Sequence, residues 1–232
     1  MSDLTHTLLQ LLDDAELYLD LLHATEIPIS VGFELTDTHE TATMIIEEDT
    51  IEIIEGINNP TFKFLLTRGI LDKAMAGEAD LFALVGRSKL SDTRPVDFEF
   101  IDKDRIKESM EVIYRLGVYY FLPGPVKARR MKVELAGSAH GAKPIPLVYW
   151  KDLRSAWYHL DKGSILNIEG ERDPYLQAFI LLNGSGRLVL GDIEIRLSPK
   201  TTYYIPRNAM HQIHAEDDLE LIWLAWDAPM FR

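Results

Sequence analysis

The chain has 232 residues, 47% of them hydrophobic and 26% charged, and no cysteine. This is a globular composition, long enough to bury a core without disulfide or metal staples; the missing thiols exclude thiol catalysis, iron–sulfur clusters and zinc–thiolate sites, and they fit a reducing cytoplasm. With 37 acidic against 24 basic residues the net charge is −13, a field that repels phosphate backbones, so nucleic acid is not expected as a partner.

The start, Met1-Ser2-Asp3-Leu4, has no basic n-region, and Leu8 to Leu22 is interrupted by Asp13, Asp14, Glu16 and Asp20. Neither a signal peptide nor a membrane span is expected, and the location read from this is cytoplasmic. Fourteen Asp or Glu and no Lys or Arg lie between Met1 and Phe62. A solvated acidic face explains them, with a docking surface for a basic partner as the alternative. The opposite run, Lys127 to Lys132, follows Pro123-Gly124-Pro125 and reads as a linker.

Leu4, Leu8, Leu11, Ala15, Tyr18 and Leu22 recur at helical spacing behind a Ser2 or Asp3 cap, which predicts an amphipathic helix. Strand-like segments follow at Ile29 to Leu35, Thr41 to Glu47, Thr50 to Ile54 and Thr61 to Leu66, and separators this short imply antiparallel neighbours. Gly69 and Gly77 bracket one or two helical turns, Leu81 to Leu90 comes next, and Val96 to Ile101 alternates as a strand. Asp102 or Asp104 then caps a helix carrying Ile106, Met110, Ile113, Leu116 and Tyr120 on one side.

This order of elements resembles the sterol-carrier-protein type 2 domain, an α/β sandwich with helices over one face of a mostly antiparallel sheet. The resemblance is carried by the sheet meander, by Gly77-Glu78 at a helix end, and by Gly86, Leu90 and Asp92; Ser91 stands where that family usually has glycine. It implies a hydrophobic tunnel for acyl chains or sterols. Phe33, Met44, Ile46, Phe62, Phe64, Met75, Phe82 and Met110 could line one, or could pack as ordinary core.

After Pro144-Ile145-Pro146 only strands are expected: Leu147 to Trp150, Ser155 to His159, Ser164 to Glu169, Leu176 to Leu182, Gly186 to Leu190, Asp192 to Leu197, Thr201 to Ile205, His211 to His214 and Leu219 to Ala225. Asn183-Gly184-Ser185-Gly186, Gly191-Asp192 and Pro206-Arg207-Asn208 read as hairpin chemistry, at the spacing of a barrel or jelly roll. The last strand is apolar on both sides, so one side should face a barrel interior and the other a second sheet, domain or subunit.

Ile205-Pro206-Arg207-Asn208-Ala209-Met210-His211 resembles the second motif of the cupins, and Gly191-Asp192 fits the hairpin before it. The first cupin motif survives in part: counting back from Gly184 puts Gln177 at its Glu position, with Asp173 and Glu171 at its two His positions. A register anchored on Gly163 nominates Glu169 and Glu171 instead. The resemblance implies a divalent-metal site of Glu171, Asp173, Gln177 and His211, a weak oxygen-rich set suited to manganese or magnesium, with iron and nickel as enzyme metals. If the metal has been lost, the same place binds a small ligand through Gln177, Phe179, His211, Ile213 and Tyr175. Alternation puts Tyr175, Gln177, Phe179 and Leu181 on one face, and His211 with Ile213 on a face that His214 does not share. The other histidines, His6, His23, His39, His140 and His159, are expected at the surface.

The expectation is thus an α+β chain of three parts: residues 1–125 a sterol-carrier-like domain, 126–146 a linker and first strand, and 147–232 a cupin barrel. Its expected role is binding, of a hydrophobic lipid-like ligand by the first domain and of a small ligand or worn metal site by the second. A metal-dependent cupin enzyme (dioxygenase, isomerase or decarboxylase) is the alternative. A third reading is a ligand sensor or homodimeric scaffold built on the strand ending in Trp223 and Trp226.

Overall fold

A computed structural model describes residues 2–23, 28–89, 91–150, 152–168, 170 and 172–227. Leu90, Glu169 and Glu171 therefore lie outside the described residues. The chain divides into two compact units, Met1–Val85 with Thr93–Arg130, and Gly86–Asp92 with Met131–Arg232. The first unit thus runs to Arg130, and it gives up residues 86–92 to the second.

In the first unit, α1 (Asp3–Asp13) is capped by Ser2, whose hydroxyl accepts the Thr5 N–H. The helical pattern expected to run to Leu22 breaks into a 3-10 turn at Glu16–Tyr18 and a short α2 (Leu19–Leu22). At the break, Asp14 turns its carboxylate to the backbone N–H of Gly124, 2.7 Å away. The strands β1 (Ile29–Leu35), β2 (Thr41–Ile46), β3 (Ile51–Glu55), β4 (Phe62–Leu66) and β5 (Asp97–Phe100) form one sheet in the order β3-β2-β1-β4-β5. Period-2 alternation buries Val31, Phe33, Met44, Phe62 and Phe64 on the same face. Leu4, Leu8 and Leu11 of α1 are buried too, and the Phe121 ring meets those of Phe33 and Phe64 edge-on.

The short separator Gly56 to Pro60 does not make β3 and β4 antiparallel neighbours. Instead β4 lies parallel to β1, in the middle of the sheet. The connection is held by Thr43, whose hydroxyl donates to the Gly56 carbonyl and accepts the Asn58 N–H, and by Ser30, which donates to the Asn58 carbonyl. It passes over Gly32, where a Cβ would come within 3.2 Å of both Ile57 and Pro60. A side chain at residue 32 would close that passage.

Two helices, α3 (Arg68–Met75) and α4 (Leu81–Val85), follow β4. After β5 comes α5 (Ile106–Arg115), which continues as a π-helical turn, Leu116–Tyr120. The buried Tyr120 hydroxyl donates to the Leu8 carbonyl at 2.6 Å. Burial raises the Tyr120 phenol well above its usual range, so this donor stays protonated. The basic run from Lys127 is more than a linker: Arg129 pairs with buried Asp80 and donates to the Gly117 carbonyl, Arg130 reaches the Gly77 carbonyl, and Lys127 the Leu122 carbonyl. These cations fasten the end of the first unit to its own helices.

The second unit has two antiparallel sheets. One contains β6 (Lys143–Trp150), β7 (Leu153–Leu160), β9 (Leu176–Asn183), β12 (Thr201–Ile205) and β14 (Leu219–Trp226), in the order β12-β9-β14-β7-β6. The other contains β8 (Ile165–Leu166), β10 (Gly186–Leu190), β11 (Ile193–Arg196) and β13 (His211–Ala215), in the order β11-β10-β13-β8. Gly191-Asp192 makes the expected two-residue hairpin between β10 and β11. The other two supposed hairpins instead carry the chain between sheets, Asn183 to Gly186 from β9 to β10 and Pro206 to Asn208 from β12 to β13. Both sheets contribute to one apolar core that includes Ala156, Phe179, Leu181, Leu188, Ile205, Ile213 and Leu221.

Candidate functional site

Strand register places a row of residues at one end of this core. Ala225 of β14 pairs with Arg154 on one side and Gln177 on the other, Gln177 pairs with Ile205, and Arg154 with Tyr149. Directly paired residues share a face, so Gln177 lies on the same side of the sheet as Arg154. Two positions further along, the next row joins Tyr203, Phe179, Trp223 and Ala156.

Gln177 is 2% exposed and fully engaged. Its Oε1 accepts the Trp223 indole N–H at 2.8 Å, and its Nε2 donates to the Asp173 Oδ2 at 2.9 Å. The indole fixes which end of the amide is oxygen, since an indole can only donate. Asp173 is further tied by its own carbonyl, which accepts the Asn208 N–H.

His211, 4% exposed, opens β13. Its Nδ1 lies 3.0 Å from the Ala209 carbonyl, an acceptor, so Nδ1 carries the proton and Nε2 the lone pair. Its ring lies 5.6 Å from that of Phe179, and its carbonyl accepts from Asn167. No hydrogen-bond partner of Nε2 is found among the described residues.

The His211 ring therefore meets Phe179, which lies two residues from Gln177 on the same face of β9. Phe179 and Ile213 are part of the packed core. Tyr175 lies just before β9, with the Arg154 guanidinium 5.3 Å over its ring and 5.9 Å from that of Tyr149. His214 pairs with Arg187, on the other face from His211. His159, expected at the surface, is instead 9% exposed and inside β7.

Of the four residues that the motif resemblance assigns to a metal, Asp173, Gln177 and His211 are described and Glu171 lies outside the described residues. Gln177 spends both amide atoms on Trp223 and Asp173, and one Asp173 oxygen is spent in turn. Among the described three, that leaves the His211 imidazole and one Asp173 oxygen without a side-chain partner. Among the described residues the single cluster of three potential ligands is elsewhere, at His159, Asp161 and Asp218. Sequence reasoning passed over it, although its signal was there: a His-x-Asp at a strand end and an acidic pair, Asp217-Asp218, opening the last strand.

No protein-family model matches the chain, and no curated protein matches it. Among solved structures, a Cupin 2 conserved barrel domain protein from Salinispora arenicola is 16% identical, with 45% of this chain and 92% of that one covered, at a TM-score of 0.40. KdgF from Halomonas sp. is 23% identical over 37% of this chain and 80% of its own, at 0.34. An RmlC-like cupin from Shewanella frigidimarina is 18% identical over 38% and 78%, at 0.35. No helix among the described residues is long and apolar enough to cross a membrane.

Proposed function

We propose that the second unit is a cupin-type barrel that binds a small organic molecule at the His211 end of its core. The observation that carries this reading is the His211 imidazole, buried, held by Ala209 through Nδ1, and left with Nε2 as an unused acceptor. Such a group can accept from a hydroxyl or N–H of a ligand that reaches it. The Trp223–Gln177–Asp173 chain of hydrogen bonds holds the Gln177 amide in one orientation and fixes its polarity.

A thermal-shift screen of small hydroxy acids, sugars and heterocycles tests this. A hit should raise the Tm of the wild type and change the Trp223 fluorescence, and His211→Ala should lose both responses while remaining folded. Hits that act equally on His211→Ala would overturn the reading.

A hydrophobic ligand in the first unit is a second reading, favoured by a void lined only by apolar residues, among them Leu4, Leu8, Phe33, Phe64, Leu71 and Phe121. Helices and a five-stranded sheet are the parts that the sterol-carrier-like expectation asks for. The void measures about 10 Å³, far short of an acyl chain.

A further inference from the structure

The register of the four-stranded sheet sets His211 at one end of a row of apolar side chains. His211 of β13 pairs with Leu190 of β10, and Leu190 pairs with Ile193 of β11. Directly paired residues share a face, so all three stand on the side of the sheet that carries Leu188 and Ile213 into the core. The next row on that side is Ile213, Leu188 and Ile195.

Exposure rises along both rows. His211 is 4% exposed, Leu190 is partly buried against the core, and Ile193 is 64% exposed. In the second row Ile213 and Leu188 are each 1% exposed and Ile195 is 41% exposed. The cause is position, since β11 is an edge strand, last in the order β11-β10-β13-β8. Isoleucines scattered singly on a surface need no explanation. These two are neighbours on one strand, and they stand on its core side. The polar residues of that strand, Glu194 and Arg196, take the other face, where Glu194 pairs with Arg187.

The first row has a length and a chemical gradient. Neighbouring strands lie about 4.8 Å apart, so the row from His211 to Ile193 spans about 10 Å. Its buried end offers the lone pair of the His211 Nε2, and its open end offers hydrocarbon. Beyond the imidazole, the five side chains of the two rows bring no polar atom. A charged group laid over them would shed water without gaining a partner.

We propose that the molecule bound at His211 is an uncharged amphiphile, with a hydroxyl or N–H head that donates to Nε2 and a hydrocarbon body that lies over Leu190, Ile193 and Ile195. The inference rests on the small-molecule reading of His211 and adds the class of ligand to it. The body covers apolar surface that the edge strand otherwise leaves to water, which is the source of its affinity.

Calorimetric titration of the full-length protein with the straight-chain primary alcohols from butanol to octanol tests the proposal. Affinity should rise about fourfold for each added methylene that leaves water. Ile193→Ser, at an exposed position, should weaken octanol at least about fivefold and butanol by less than about twofold, because only the longer chain reaches that residue. His211→Ala should weaken every member of the series, with circular dichroism confirming that both variants are folded. Affinity independent of chain length, octanol binding unchanged by Ile193→Ser or by His211→Ala, or no binding of any alcohol would each overturn the inference. The small-molecule reading is decided separately, since a polar compound whose response is lost in His211→Ala would sustain it even where every alcohol fails.

Discussion

Arg129 shows how misleading a residue type is without its partner. A cation in a run after Pro-Gly-Pro reads as part of a linker, yet this side chain is 8% exposed and faces an Asp80 carboxylate that is 4% exposed. Its guanidinium also lies over the Phe82 ring, 5.5 Å from the centroid. Burial lowers the Arg129 pKa and the Asp80 charge opposes that, but the group remains charged at any ordinary pH. Replacing one partner of a buried pair leaves the other charge stranded, at a cost of roughly 3–5 kcal/mol. Arg129→Met should therefore lower unfolding stability in urea by about that amount, and a loss under about 1 kcal/mol would show the pair to be dispensable. Gly117, whose carbonyl Arg129 grips, tolerates no Cβ, which would meet the Phe82 ring at 2.4 Å. Gly117→Ala should cost about 1–3 kcal/mol through overpacking, measured the same way.

At the scale of elements, strand positions were legible because period-2 alternation is a property of consecutive residues. Ile29–Leu35, Gly186–Leu190 and Thr201–Ile205 have the bounds that alternation gives. Pairing was not legible, since it depends on where a separator leads. Asn183 to Gly186 has the composition of a hairpin, but its neighbours decide otherwise: a Cβ on Gly184 or Gly186 would lie 2.3 Å from the Asp218 or His214 carbonyl. The proposed ligand site was partly legible for the same reason. Alternation placed Gln177, Phe179 and Leu181 together, and the cupin-like motif pointed to His211. Nothing local could reveal that Trp223, 46 residues away, occupies the Gln177 oxygen.

The Gly56–Thr61 connection gives a prediction at this scale. Thr43→Val keeps the shape but removes the hydroxyl from the Gly56 carbonyl and the Asn58 N–H, which should destabilise the first unit by about 1–3 kcal/mol. The docking of α1 should in turn depend on pH. Glu40 accepts from Arg68 and from the Leu4 N–H, and these bonds, that from Arg68 foremost, hold its carboxyl below the usual carboxylate range. A depressed folded-state pKa means stability that is complete above the unfolded-state value and lost as pH falls through the folded one. Wild type should thus lose stability on acidification relative to Glu40→Gln; parallel curves below pH 5 would refute the assignment.

For the whole molecule, the division of the chain matters more than its length. Residues 86–92 are counted with the second unit although both of their flanks belong to the first. Within that unit the Ser88 hydroxyl accepts the His140 N–H at 2.7 Å. A chain truncated after Arg130 would keep 86–92 but lose what they group with. It should be cleaved by protease within that stretch far faster than the full chain is, and equal resistance would show that the segment needs nothing beyond residue 130.

The parallel placement of β4 beside β1 has a consequence for a chain still attached to the ribosome. The hairpins of β1, β2 and β3 can close as soon as they emerge, yet one border of β1 keeps its amides and carbonyls bare until residues 62–66 arrive to cover it. A nascent chain stalled between those points presents a sticky, half-built sheet, so translational pausing there should favour clumping, whereas a pause after β5 should be harmless.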